Sequence, residues 1–315
     1  MAFYNLENLF DTINDVTKDD EEFLPGSPRK YNTQIYIDKL DKLSSVLEKL
    51  GDEDGPEIIG VSEVENKSVL EDLINTGKLK QRRYSVAIVE GPDKRGVDVG
   101  LIYKKQYFKP ISIKGIDLKD TIDPEFKTRN QLVVTGILSN DTITFIINHW
   151  PSRRGGGKDD KRILAAKRAR QTVDSLFQQN KNAKILVMGD FNDDPNDKSI
   201  YDYLNAKPEK KLDKDSLALF NPMYNIHKNG YGSLSYNKTW NLFDQIIISQ
   251  SIISNKNTKY YYLKNSAAIY YKKWLLNSEG KDEGAPKRTW QGNTYIGGYS
   301  DHLPVFLYLV QKVVK

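Results

Sequence analysis

Lys184-Ile185-Leu186-Val187-Met188-Gly189-Asp190-Phe191-Asn192 and Ser300-Asp301-His302-Leu303-Pro304-Val305-Phe306 are the two stretches whose reading decides the fold. Each joins a short apolar run to a polar cluster. Apolar runs of this length bounded by turn residues read as buried strands. The first cluster stands where a strand ends, and the second where one begins. The polar groups are carboxylates, an amide and an imidazole. That set suits a hard divalent cation beside a proton-transfer group and makes poor core material.

Outward from these stretches the chain alternates strands and helices, an α/β pattern. Strands are expected over 3–5, 57–62, 84–89, 97–103, 131–138, 142–148, 184–189, 240–249, 259–263 and 304–310. Tyr36, Leu40, Leu43, Leu47 and Leu50 recur at helical spacing, so a helix is expected over 33–50, with Gly51 as its stop. A second is expected over 159–178, with Ala166, Ala169, Val173 and Leu176 on one face and Asp159-Asp160 favouring its N-terminus. Shorter helices are expected over 69–74 and 199–204. Ser139-Asn140-Asp141 between two strands signals a hairpin, so a mixed sheet fits better than an all-parallel one. No repeat or long linker divides the 315 residues, which read as one domain over 1–315.

The bulk numbers exclude some chemistry. There is no cysteine, which removes disulfides, thiolate zinc sites and thiol nucleophiles. No stretch approaches the roughly 20 apolar residues that span a bilayer, so stable membrane insertion is not expected. Met1-Ala2 leads straight into strand-like sequence. This abrupt start is read as a trimmed leader, with a secreted or periplasmic location as the expectation. The net charge of +5 is unevenly spread: residues 151–170 carry +6 and the rest −1. Such a segment either attracts an anionic partner or forms a solvated helix face. The acidic run Asp19-Asp20-Glu21-Glu22 lacks EF-hand spacing and reads chiefly as a solvated loop. An auxiliary Ca²⁺ is its other reading.

Polar residues at strand ends form an ordered series: Asn5 and Glu7 in FYNLENLF, Glu63 in GVSEVEN, Asp98 in RGVDVGLIY, His149 in NHWPSR, Asp190 and Asn192 in GDFN, Asp244 in WNLFDQ, and Asp301 and His302 in SDHLP. With these motifs in this order the chain resembles the endonuclease/exonuclease/phosphatase superfamily, which includes DNase I-like nucleases, abasic-site endonucleases, inositol polyphosphate 5-phosphatases and sphingomyelinases. The resemblance implies a four-layer α/β sandwich, with two mixed β-sheets face to face and helices outside.

It also implies roles for the residues. Glu63 matches the principal metal-binding glutamate, with Asn5, Glu7 and Asp301 as further metal-associated residues. Asp190 and Asn192 match the pair that positions attacking water and a phosphate oxygen. His302 matches the catalytic imidazole, Asp244 the acid that orients it, and His149 the second histidine. Asp98 is expected to orient His149. The implied ion is Mg²⁺ or Mn²⁺. Arg153 and Arg154, just after His149, are assigned to substrate phosphate, for which the planar guanidinium is suited.

The implied activity is metal-dependent phosphodiester hydrolysis by water, with nucleic acid the leading substrate. Inositol, lipid or other small phosphoesters form the second reading, and a catalytically silent binding module the third. Trp274, Lys287, Arg288, Trp290 and Tyr295 could stack bases and hold phosphates, or could form a packed excursion between strands.

Overall fold

A computed structural model describes residues 1–153, 159–209, 217–253 and 259–311. In chain order the first strands are β1 (Ala2–Leu9), β2 (Ile58–Val64), β3 (Tyr84–Ile88), β4 (Asp98–Lys104), β5 (Phe108–Ile116), β6 (Gln131–Leu138), β7 (Asp141–His149) and β8 (Lys184–Asp190). The shorter strands that follow are β9 (Ala206–Lys207), β10 (Leu219–Phe220), β11 (Leu234–Tyr236), β12 (Thr239–Asn241), β13 (Asp244–Ile248), β14 (Tyr260–Tyr262), β15 (Ala268–Ile269), β16 (Trp290–Gln291), β17 (Thr294–Tyr295), β18 (Val305–Phe306) and β19 (Leu309–Gln311). The α-helices are α1 (Thr33–Leu47), α2 (Lys67–Ile74), α3 (Asp159–Gln179) and the short α4 (Tyr224–Lys228).

Two mixed sheets result, in the orders β15-β18-β1-β2-β4-β3 and β5-β6-β7-β8-β13-β10-β9. Their facing sides share one core, in which Phe3, Val99 and Leu101 of the first meet Val134, Phe145, Ile147, Leu186, Met188 and Ile246 of the second. The outer face of the first sheet packs on α1 and α2 through Tyr4, Val61, Leu43, Leu47, Val69 and Leu73. The outer face of the second packs on α3 through Ile146, Val187, Ala166, Ala169 and Val173. This is the expected four-layer sandwich.

Local chemistry explains the element ends. Asn32 and Asn66 cap α1 and α2, each side chain accepting the amide three residues on at 3.1 Å. α1 stops at Leu47, short of the expected 50, because the amides of Lys49 and Leu50 switch to tighter bonds three residues back, to the Val46 and Leu47 carbonyls. The β6–β7 hairpin turns on Ser139 (φ 45°) and Asn140 (φ 72°), the left-handed pair that a two-residue hairpin favours. The expected strand over 240–249 is two strands. It breaks at Leu242, whose amide donates to Asp194 Oδ1 at 2.7 Å instead of to the ladder. The turn over Ser199–Tyr203 is of the wide π type, not α-helical. β5 was absent from the sequence expectations. It is a sheet edge whose Pro110 and lysines interrupt the apolar pattern and whose Ile111 and Ile113 face outward.

Candidate active site

The topology gathers strand ends from both sheets. β1 and β2 run parallel, as do β7 and β8, so Glu63, His149 and Asp190 lie at C-terminal ends, with Asn5 where the β1–β2 register begins to shift. The register puts His149 and Asp244 beside Asp190, one on each neighbouring strand. His302 joins from the 300–304 segment, bridged to Leu234 of β11. Four residues here hold left-handed backbone: Glu7 (φ 48°), Asn8 (57°), Glu63 (60°) and Asn192 (51°).

Asp190 is the centre. Its Oδ2 accepts from Asn5 Nδ2 at 2.9 Å and lies 3.7 Å from His149 Nε2 and 3.8 Å from His302 Nε2. Glu63 Oε1 accepts from the same Asn5 amide at 3.2 Å and stands 3.7 Å from His149 Nε2. Asp190 Oδ1 accepts the Asn192 amide, and Asn192 Nδ2 donates to the Trp150 carbonyl. On the far side His302 Nδ1 bonds Asp244 Oδ2 at 2.7 Å, and Ser233 Oγ donates to the same oxygen. Asp244 is fully buried. Its carboxylate can only accept from Nδ1–H, so it fixes the tautomer that leaves Nε2 free to take a proton.

The electrostatics separate the two histidines. Burial works against a charged His302, but Asp244 and then Asp190 outweigh it and hold the ring well above its ordinary value. His149 is pushed well below by burial, reinforced by Arg129, Arg95 and His302. It is therefore a neutral ring that can donate a hydrogen bond. Asp190 is pushed up to about 7 by burial, with His302 pulling the other way and Asp244 and Glu63 adding to it.

Ligand atoms of Glu63, His149 and Asp190 lie within 4.8 Å of one another. Two of the three offer carboxylate oxygens, and a cation would offset the burial and the neighbouring Asp244 and Glu63 charges that raise Asp190. The donor set fits a hard divalent ion. Glu63 and Asp190 would hold it, with His149 alongside.

Other expected site residues are placed differently. Asn5 does not present its oxygen to this cluster: Oδ1 accepts the Glu7 amide at 2.9 Å, and the NH₂ group spans the two carboxylates. Glu7 lies outside the cluster. Its Oε2 accepts the Thr289 amide at 2.6 Å, and Arg288 approaches Oε1 to 3.8 Å. Asp301 accepts from Arg288 at 3.1 Å, and its other oxygen is 4.0 Å from His302 Nε2. Arg153 is taken up by Asp193 (3.0 Å) and Asp197 (2.6 Å) and donates to the Asn192 carbonyl. It braces the GDFN turn, and its charge is already neutralised. Arg154 lies outside the described residues.

The expected pairing of Asp98 with His149 does not form. Asp98 accepts the Gly91 amide at 2.9 Å, and His149 Nδ1 makes no hydrogen bond among the described residues. Asp98 instead lines a cavity of about 340 Å³ with Asp11, Asp15, Asp20, Glu65 and Glu90. Of the run 19–22, only Asp20 is buried and lines that cavity.

Burial pushes the Asp98 carboxyl up to about 7. A carboxyl raised on folding contributes full stability below its unfolded value and loses it as pH climbs through the folded one. Asp98→Asn should therefore gain on the wild type between pH 4 and 7 and hold a lead of at least about 3 °C at pH 8 in chelating buffer. Thermal unfolding across pH checks this, and a lead that shrinks with rising pH would refute it.

Several supporting residues carried no sequence signal. Arg129 is buried, donates to the Trp150 carbonyl at 2.7 Å and pairs with Asp93. Arg162 of α3 pairs at 2.7 Å with buried Asp193. Lys39 of α1 is fully buried. His227 sits on α4 with Nδ1 3.4 Å from Asp194 Oδ1. Trp290 packs between Tyr31 and Tyr295, which supports a packed excursion there.

Comparison with known proteins agrees with the fold. The sequence model of the Endonuclease/Exonuclease/phosphatase family matches residues 1–311. No curated protein matches the sequence. Among solved structures, a humanized Danio rerio TDP2 superposes with TM-score 0.57 at 13% identity, over 98% of each chain. An endonuclease/exonuclease/phosphatase family protein from Bacteroides thetaiotaomicron gives 0.58 at 14%, over 99% of this chain and 98% of that one. A mannosyl-6-phosphatase from Bacteroides thetaiotaomicron gives 0.52 at 14%, over 98% of each. At these identities the likeness is one of fold.

Proposed function

From a chain that belongs to the endonuclease/exonuclease/phosphatase family, we infer a divalent-metal-dependent phosphoester hydrolase that uses His302 as general base. The observation that carries this reading is the buried Asp244–His302 pair, whose free Nε2 faces the Asp190–Glu63–His149 cluster. A bound Mg²⁺ or Mn²⁺ would offset the negative charge of the phosphoester.

The chain's own residues supply the rest. Asp244 holds Nδ1–H, and with a cation on Asp190 offsetting part of the pull that favours the charged ring, His302 Nε2 would accept the proton of the attacking water. Asp190 and Asn192, fixed by the GDFN turn, orient that water and a phosphate oxygen. Neutral His149 donates to a phosphate oxygen on the opposite side. The imidazolium formed at His302 is stabilised by the buried Asp244 charge.

The leading substrate is a phosphodiester of nucleic acid, though its basis shifts. Of the +6 segment, Arg153, Lys161, Arg162 and Arg170 are paired with aspartates, which weakens the case for a basic track. Support comes instead from the β11–β12 hairpin and its neighbours. This hairpin is tied to His302 through Leu234, carries exposed Tyr236, and sets Trp240 against exposed Tyr271 with ring centroids 6.2 Å apart. Tyrosine faces of this kind suit base stacking. Small phosphoesters remain the second reading, favoured by the pairing of those four cations.

A panel of supercoiled DNA, RNA, bis-p-nitrophenyl phosphate and inositol phosphates, with and without Mg²⁺ or Mn²⁺, tests both. We expect chelator-sensitive cleavage of nucleic acid, with Arg153, Lys161, Arg162 and Arg170 adding little to its salt dependence because aspartates already pair them. Phosphate release from the inositol substrates alone would move the assignment to the second reading. No hydrolysis of any member would overturn the proposal.

A further inference from the structure

We propose that Lys39, on an outer-layer helix and outside every motif above, is a positioning residue for the Glu63–Asp190 metal centre, acting through Thr289, Glu7 and Asn5. The inference rests on the reading of that cluster as a metal centre.

The contacts form one continuous line. Lys39 is fully buried, and its Nζ donates to Thr289 Oγ1 at 2.9 Å. The Thr289 amide donates to Glu7 Oε2 at 2.6 Å. Glu7 occupies left-handed backbone at φ 48°, a conformation that costs a non-glycine residue about 1 kcal/mol and persists only where surroundings hold it. The clamp of its carboxylate on Thr289 supplies that hold. In this conformation the Glu7 amide donates to Asn5 Oδ1 at 2.9 Å and fixes which way the Asn5 amide points. Its NH₂ group is thereby aimed at Glu63 Oε1 and Asp190 Oδ2. A backbone branch runs beside this line: Ser300 Oγ donates to the Asn5 carbonyl at 2.7 Å and accepts the His302 amide at 3.1 Å.

Charge makes Lys39 and Glu7 interdependent. A buried ammonium with one neutral hydroxyl partner is costly, and Glu7 is the acid whose charge most favours it. Removing the lysine alone leaves the buried Glu7 carboxylate with the half-exposed Arg288, 3.8 Å from Oε1, as its nearby cation, a poorer balance than losing both charges. Glu7 would then leave its clamp, and the Asn5 amide would lose its anchor.

Mn²⁺ binding followed by electron paramagnetic resonance tests this without substrate. Lys39→Met should raise the Mn²⁺ dissociation constant about tenfold or more, the range found when residues supporting a metal ligand are removed. Lys39→Met/Glu7→Gln should bind within about threefold of wild type, because the pair is neutralised together. Lys39→Met binding like wild type, or the double variant binding no better than the single, would overturn the proposal. If Lys39→Met does not fold, Thr289→Val decides. It removes only the hydroxyl, and an unchanged Mn²⁺ constant would overturn the proposal. A chain that shows this dependence yet hydrolyses nothing in the substrate panel would refute the phosphoesterase reading and leave this one standing.

Discussion

Replacing His302 with alanine should lower kcat by about 10³-fold and leave KM within a few-fold, since a positioned general base contributes roughly 10²–10⁴ in rate. The imidazole is tied on one side only, by Nδ1 to Asp244 at 2.7 Å, so it makes no contact whose loss would weaken ground-state binding. Asp244→Asn should fall part of the way. An amide can offer its NH₂ to Nδ1 and so select the wrong tautomer, and it no longer stabilises the imidazolium. Steady-state kinetics on the best substrate of the panel give the answer. A His302→Ala enzyme with kcat within threefold of wild type would remove His302 from the mechanism.

Glu63→Gln should abolish the response to metal. Glu63 accepts from two sides, Asn5 Nδ2 at 3.2 Å and the Asn8 amide at 3.0 Å, and lies in the cluster that fits a hard cation. A glutamine in its place loses the charge and turns its NH₂ toward one of those two donors. The rise in unfolding temperature on adding Mg²⁺ reports binding directly. For the wild type at a hundredfold excess over Kd it should be about 5 °C, from a stabilisation of about 2.7 kcal/mol. In Glu63→Gln the same Mg²⁺ should give no shift, and activity should be lost with it. An equal shift in both proteins would show that Glu63 does not hold the ion.

Much of this site was legible because its residues sit in runs that mark their own place in the fold. GDFN follows an apolar strand and SDHLP precedes one, and Asp190 and His302 do meet. Asp244 was legible as a partner of His302 only through the ordered motifs, yet the register of β13 against β8 places it there. The residues that escaped share a cause. Lys39, Arg129, Arg162 and Asp193 are charged groups buried by tertiary pairing, and a sequence displays them like any surface charge. Arg153 failed in the opposite direction: its position beside His149 was right, but three aspartates from after the GDFN turn had claimed its guanidinium. Asp98 was read by its neighbours in the chain, while its side chain turned to the Gly91 amide. Strand β5 was missed because an exposed edge has little apolar pattern to show.

The left-handed backbone at the strand ends sets a conflict between durability and activity. Asn8 and Asn192 are of a type that tolerates that geometry, whereas Glu7 and Glu63 are not. Glycine or asparagine at those two positions would relieve the local cost. A campaign of directed evolution that screened this protein for heat resistance alone would be rewarded at position 63, though not at position 7, where the loss would strand buried Lys39, and would discard the Glu63 carboxylate in the process. The thermostable winners would be well-folded scaffolds without their metal centre.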